Sequence, residues 1–139
     1  MEREIYVPPG GPPQHPPLNP NLFKNLGEEK IRRITAIFYK EIAESPIRSM
    51  YPEDDLKLSE EKLADFMVQV LGGPAYYVRK YGPPRMRARH FPFEIDEKAR
   101  RVWLSSFKKA LDSVEMDDTD RKDIFAFLTS FSAWMVNKA

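Results

Sequence analysis

The chain contains no cysteine. Disulfides, thiolate nucleophiles, zinc–thiolate sites and any cofactor held by cysteine are therefore excluded. Histidine is almost as scarce, with only His15 and His90. No run of about 18 apolar residues occurs, so no segment is expected to span a membrane. A surplus of one charge is missing too: 22 basic residues face 21 acidic ones, for a net charge of +1. That balance gives no overall footprint for DNA, RNA or an anionic membrane. The first seventeen residues carry no apolar stretch of the secretory kind, and the expected location is the cytoplasm.

What is present suffices for a real core. The 139 residues match one domain, with 42% hydrophobic and 12% aromatic residues. Proline is abundant and unevenly placed. Pro8, Pro9, Pro12, Pro13, Pro16, Pro17 and Pro20 crowd residues 1–21 together with Gly10 and Gly11. Repeated proline fixes φ and removes backbone donors, so neither helix nor central strand is expected there. Residues 1–24 read as an extended arm, either loose or lying along the surface. A ligand for a proline-recognising partner is the other use of such a segment.

Beyond the arm, residues 25–139 read as helical. Gly27 to Ala43 places Ile31, Ile34, Ile37, Phe38 and Ile42 on one helical face, and Pro46 closes it. Ile47 to Tyr51 reads as a tight corner. Ser59 is expected to cap a helix with Leu63, Phe66, Met67 and Val70 inward, ended by Gly72 and Gly73. Residues 74–95 are expected to be irregular, broken by Gly82, Pro83 and Pro84. Asp96 predicts a cap for a helix carrying Val102, Trp103, Phe107, Ala110, Leu111 and Val114. A last helix is predicted from about Asp118 to Asn137. No strand and no repeat is expected, so the class is all-α.

Chemistry can enter this folded part through His90. One histidine does not make a zinc site unless carboxylates help, but one imidazole suffices as an axial ligand of haem iron. Taken alone, such a histidine is more often an ordinary surface or core residue. Its neighbours add weight. Arg85, Arg87 and Arg89 precede it, and guanidinium groups suit carboxylates such as haem propionates. Phe91 and Phe93 follow it. A solvated basic loop and plain core packing remain open for these residues.

The stretch GGPAYYVRKYGPPRMRARHFPFEID, followed by ARRVWL, resembles the proximal region of group II truncated haemoglobins. In that family a Gly-Gly pair ends the distal helix. An Arg-x-Arg-His-x-Pro-Phe motif then supplies the iron ligand, and a tryptophan follows thirteen residues later, here Trp103. Phe38-Tyr39 and the corner Met50-Tyr51-Pro52-Glu53-Asp54-Asp55-Leu56 are also similar. The resemblance covers roughly residues 25–136. It implies a two-on-two helical sandwich around haem b, binding O2 and other small ligands at five-coordinate iron.

The resemblance also implies roles. His90 matches the proximal ligand; Tyr39, Tyr51 and Trp103 match the polar aromatics of the distal pocket. Ser59 and Leu63 match distal-helix positions facing the ligand. Lys62 matches a propionate partner, and Tyr77 a haem contact. Phe66, Met67, Phe93 and Phe107 are expected as pocket walls, with Arg89 also at the cofactor. Two departures stand out: Ser59 is polar where the family often has a small residue, and Gly82-Pro83-Pro84 replaces the usual Gly-His-Pro. A donor-rich pocket favours turnover of NO or peroxide, or sensing, over oxygen storage. A reductase and a second copy of the chain are the expected partners. The contrasting reading is a haem-free helical module that binds through its proline arm.

Overall fold

The computed structural model describes residues 4–15, 17–52 and 56–139. The described residues form seven α-helices in the order α1 (Leu22–Leu26), α2 (Glu28–Ala43), α3 (Leu56–Val70), α4 (Tyr76–Tyr81), α5 (Met86–His90), α6 (Glu97–Asp112) and α7 (Asp118–Met135). A 3₁₀ turn, Arg48–Met50, makes the corner after α2. The described residues contain no strand. The long helices pack as α2 on α3, α2 on α6, and α6 on α7, the frame of a two-on-two sandwich.

Local sequence explains the long helices. α2 buries Ile31, Ile34, Thr35, Phe38, Tyr39 and Ile42, a stripe of the helical period. At its centre the Phe38 ring stacks on Phe107 of α6 at 4.1 Å, and both side chains are fully buried. Asp96 Oδ1 accepts the amide of Ala99 at 2.8 Å, so the predicted cap of α6 is present. α7 begins at Asp118 as expected but ends at Met135, two residues early.

Two expectations fail. Ser59 is not a cap: α3 already runs from Leu56, which puts Ser59 inside its first turns. Leu56, Lys57 and Leu58 are good or adequate helix formers, and they extend the helix upstream. Glu53, Asp54 and Asp55 of the expected corner, like Pro16 of the arm, lie outside the described residues. Residues 74–95 are not simply irregular, since they contain α4 and α5. Helices of six and five residues are too short to show a readable period, and tertiary contacts must hold them.

The arm lies along the domain surface. Tyr6 N–H donates to the Asn137 carbonyl at 3.0 Å. His15 Nδ1 is hydrogen-bonded to Ser130 Oγ at 3.0 Å, with its ring 5.1 Å from that of Phe127. α1 crosses the expected boundary at Asn25. Its Leu22 is fully buried, and Phe23 N–H donates to Leu71 O at 2.9 Å.

Candidate functional site

His90 is the last residue of α5. Its Nδ1 lies 2.5 Å from the Met86 carbonyl one turn earlier. A carbonyl only accepts, so Nδ1 carries the proton and Nε2 keeps its lone pair. Burial pushes the imidazole below its usual pKa, against the opposing pull of that hydrogen bond. The ring is thereby held neutral in the tautomer that offers Nε2 to a metal.

The arginines before His90 divide into different roles. Arg87 does not face a cofactor carboxylate, as the run of three suggested. Its guanidinium stacks on Trp134 at 4.2 Å and donates to the carbonyls of Trp134, Val136 (2.8 Å) and Tyr6 (2.8 Å). Arg89 donates Nε to Pro84 O at 2.6 Å and Nη2 to Tyr81 O and Pro83 O. It also sits 5.5 Å from the Tyr77 ring centre. Its Nη1 points to no acceptor among the described residues, which leaves two N–H groups for an anion. Arg85 is exposed at φ 39°, the one non-glycine in the left-handed region among the described residues.

Tyr39 from α2, Tyr51 from the corner and Trp103 from α6 meet in space. Trp103 lies beside the Tyr51 hydroxyl, and the Tyr39 and Tyr51 rings meet edge-on at 5.7 Å. Phe38 packs edge-on against both Tyr39 (5.1 Å) and Trp103 (5.7 Å). Burial raises both phenols well above the ordinary tyrosine range. Both therefore remain O–H donors at any ordinary pH.

On α3, Ser59, Leu63, Phe66, Met67 and Val70 share one helical stripe. Phe66 meets the Tyr77 ring of α4 at 5.8 Å. Lys62 lies over Tyr81 at 5.5 Å and has no carboxylate partner among the described residues. Phe93 is 43% exposed, on a groove it shares with Met50, Tyr51 and Pro92. That groove links the segment after His90 to Tyr51. Phe107 is 0% exposed and wedged against Phe38 and Trp103. It backs Trp103 from the core. Met67 is likewise buried.

Sequence reasoning missed two site residues. Phe131 of α7 joins Phe66 (5.5 Å) to Trp103 (6.5 Å). Its four-residue spacing from Phe127, on which it stacks, was the available signal. Tyr81 lies between Lys62 and Tyr77, 4.9 Å from the latter ring. Reading residues 74–95 as irregular hid that one-turn spacing.

The family model for bacterial-like globins matches residues 21–137. The chain belongs to the bacterial-like globin family. Group 2 truncated hemoglobin YjbI of Bacillus subtilis is 34% identical over 116 residues, spanning 84% of this chain and 88% of that one. The oxygen-avid truncated haemoglobin structure from Bacillus subtilis superposes with a TM-score of 0.80, at 34% identity over 84% of this chain and 98% of that one. Phosphate-bound Hell's gate globin IV gives a TM-score of 0.86 at 34% identity, covering 91% of this chain and 80% of that chain. A thermostable haemoglobin from Thermobifida fusca gives 0.81 at 36% identity, over 84% and 96%.

Within that family the fold is that of a group II truncated haemoglobin, and its cofactor is haem b. The donor set fits this truncated globin: a neutral imidazole with free Nε2, two cations with unspent donors, and an aromatic, apolar surround. No helix of the described residues is long and apolar enough to cross a membrane.

Proposed function

We propose that His90 holds the haem iron through Nε2, and that Tyr39, Tyr51 and Trp103 hydrogen-bond to a small ligand bound there. When bound, haem supplies reversible ligation of O2 and other small molecules and one-electron chemistry. The chain's own residues decide how long the ligand stays. The observation that carries this reading is the meeting of three polar aromatics from three separate elements, Tyr39 buried and Tyr51 and Trp103 partly buried. Nothing in helix packing requires two phenols and an indole N–H at one place. A ligand drawing partial negative charge does.

Lys62 and Arg89 are placed to receive the propionates, with Tyr77 and Tyr81 between them. Ser59, Leu63, Phe66 and Met67 form the α3 wall, and Phe131 completes it. Several donors aimed at one ligand slow its release, which suits turnover of bound O2, NO or peroxide better than storage.

Absorption spectra and ligand kinetics test the reading. The purified chain with haem should show a strong Soret band and a five-coordinate ferrous spectrum. His90→Ala should abolish that spectrum, and added imidazole should restore it to His90→Gly. O2 dissociation should be slow, with NO or peroxide consumed faster than by free haem. Rapid O2 release with no such turnover overturns the turnover reading, and an unchanged spectrum in His90→Ala overturns the ligand assignment.

A further inference from the structure

α5 carries the proposed iron ligand on five residues, too few to keep a helix in place by its own backbone bonds. Its packing partner is α7. What holds it there is a circuit of hydrogen bonds drawn from both ends of the chain. Arg87, three residues before His90, stacks on Trp134 and donates to the carbonyls of Trp134, Val136 and Tyr6. These are charge-assisted bonds from a planar fork, and they fix orientation as well as distance.

Asn137 forms the other half of the circuit. It is completely buried, just past the end of α7. Its Nδ2 donates to the His90 carbonyl at 3.1 Å, and its Oδ1 accepts the Ile95 amide at 2.9 Å. Its backbone N–H donates to Ile95 O at 2.9 Å, and its own carbonyl accepts Tyr6 N–H at 3.0 Å. Tyr6 therefore joins both halves: its carbonyl receives Arg87 and its amide reaches Asn137. Removing any one member takes hydrogen bonds from the others.

We propose that Arg87, Asn137 and the arm at Tyr6 are positioning residues for His90. The N-terminal arm acts as a strap that closes the proximal side and fixes where α5 presents Nε2. This rests on His90 being the iron ligand. It gives the proline-rich segment a task inside its own chain: repeated proline limits the arm's backbone freedom around its turn at Pro8–Gly11, so that Tyr6 reaches the end of α7 with little ordering cost.

The test is the iron–histidine stretching band in resonance Raman spectra of the ferrous, unliganded full-length chain with haem. Arg87→Met removes the guanidinium, and Tyr6→Pro removes the arm's backbone donor to Asn137 together with the phenol side chain. Both should shift and broaden the band. Both should also speed haem transfer to an acceptor globin by roughly tenfold, equivalent to ~1.4 kcal/mol. Arg87→Lys keeps the charge and should recover part of both effects. Tyr6→Pro and Arg87→Lys keep the question decidable if Arg87→Met fails to fold by circular dichroism. Folded Tyr6→Pro and Arg87→Lys chains with the parent band and haem-transfer rate overturn the strap alone, provided His90→Gly has lost the band. A band that survives in His90→Gly overturns the ligand assignment beneath it.

Discussion

The Tyr39 ring meets the Tyr51 ring edge-on at 5.7 Å, and Trp103 sits beside the Tyr51 hydroxyl, where it opposes the rise that burial gives that phenol's pKa. The Trp103 N–H and the Tyr51 O–H are thus neighbouring donors. Neighbouring donors that bond to one acceptor are coupled through it. The two residues should therefore act on a bound ligand as a unit. Trp103→Phe and Tyr51→Phe should each raise the O2 dissociation rate about tenfold or more, from ~1.5–3 kcal/mol per bond to a charged acceptor. The double variant should fall short of the product of the two effects, by ~0.5 kcal/mol or more of coupling. Stopped-flow displacement of O2 by CO measures all three, and strict additivity would show that the two donors act separately.

The same phenols set a pH expectation. Burial is the main cause that raises both Tyr39 and Tyr51, and it disfavours the phenolate. The ordinary tyrosine value is near 10, so neither loses its proton below about pH 10. O2 dissociation should stay flat from about pH 6 to about pH 10. An alkaline break present in the parent and absent in Tyr51→Phe would contradict the raised pKa.

Asp65 gives a second linkage. Its carboxylate is fully buried on α3, with Arg32 of α2 and Lys80 of α4 each at 2.9 Å. Burial works against the charged form, but the bonds from the two cations outweigh it, and the pKa is lowered. A carboxylate lowered on folding adds stability above its unfolded value, near 3.9. That contribution is lost as pH falls through the lower, folded value. Asp65→Asn should cost about 1–3 kcal/mol near neutral pH, a figure kept modest because both cations reach solvent. The gap in urea midpoint between parent and variant should close below about pH 4. Lys80 belongs to the helix that carries Tyr77, so the variant should also release haem faster.

Gly73 is constrained by space. A Cβ there would lie 2.6 Å from Phe23 Cδ1 and 2.8 Å from Val68 Cγ1. Gly73→Ala should destabilise the fold by about 1–3 kcal/mol, the usual cost of overpacking. Phe23→Ala in the same chain should recover part of the loss, because it empties the ring's position. Thermal melts followed by circular dichroism would check this, and a silent Gly73→Ala would mean that α1 does not press on the turn. Its neighbour Gly72 is different: φ 104° demands glycine for conformation.

The long helices were legible because each repeats its apolar residues with the helical period over four or more turns. Ile31, Ile34, Phe38 and Ile42 announce α2 without any knowledge of what they touch. Asp96 announces the start of α6, because a cap is a bond between residues three apart. Ser59 misled for the same reason. It has the chemistry of a cap, but the helix continued upstream through Leu58 and Leu56. α4 and α5 escaped notice since their stability comes from contacts with other helices, α3 and α7, which no pattern within five or six residues reveals.

The sequence by itself determined the class, the order of the four long helices and the motif around His90, since these rest on local spacing. It also supplied Tyr39, Tyr51 and Trp103 as a set, through resemblance, but not their meeting. Only the tertiary structure decided what the arginines do. Arg87 and Arg89 are two residues apart and chemically identical, yet one is spent on the C-terminal end of α7 and the other retains free donors beside Tyr77. A guanidinium binds whichever acceptors the fold brings to it, and those acceptors come from residues 6, 81, 83, 84, 134 and 136. No local pattern specifies such distant partners, so the role of an arginine follows from packing.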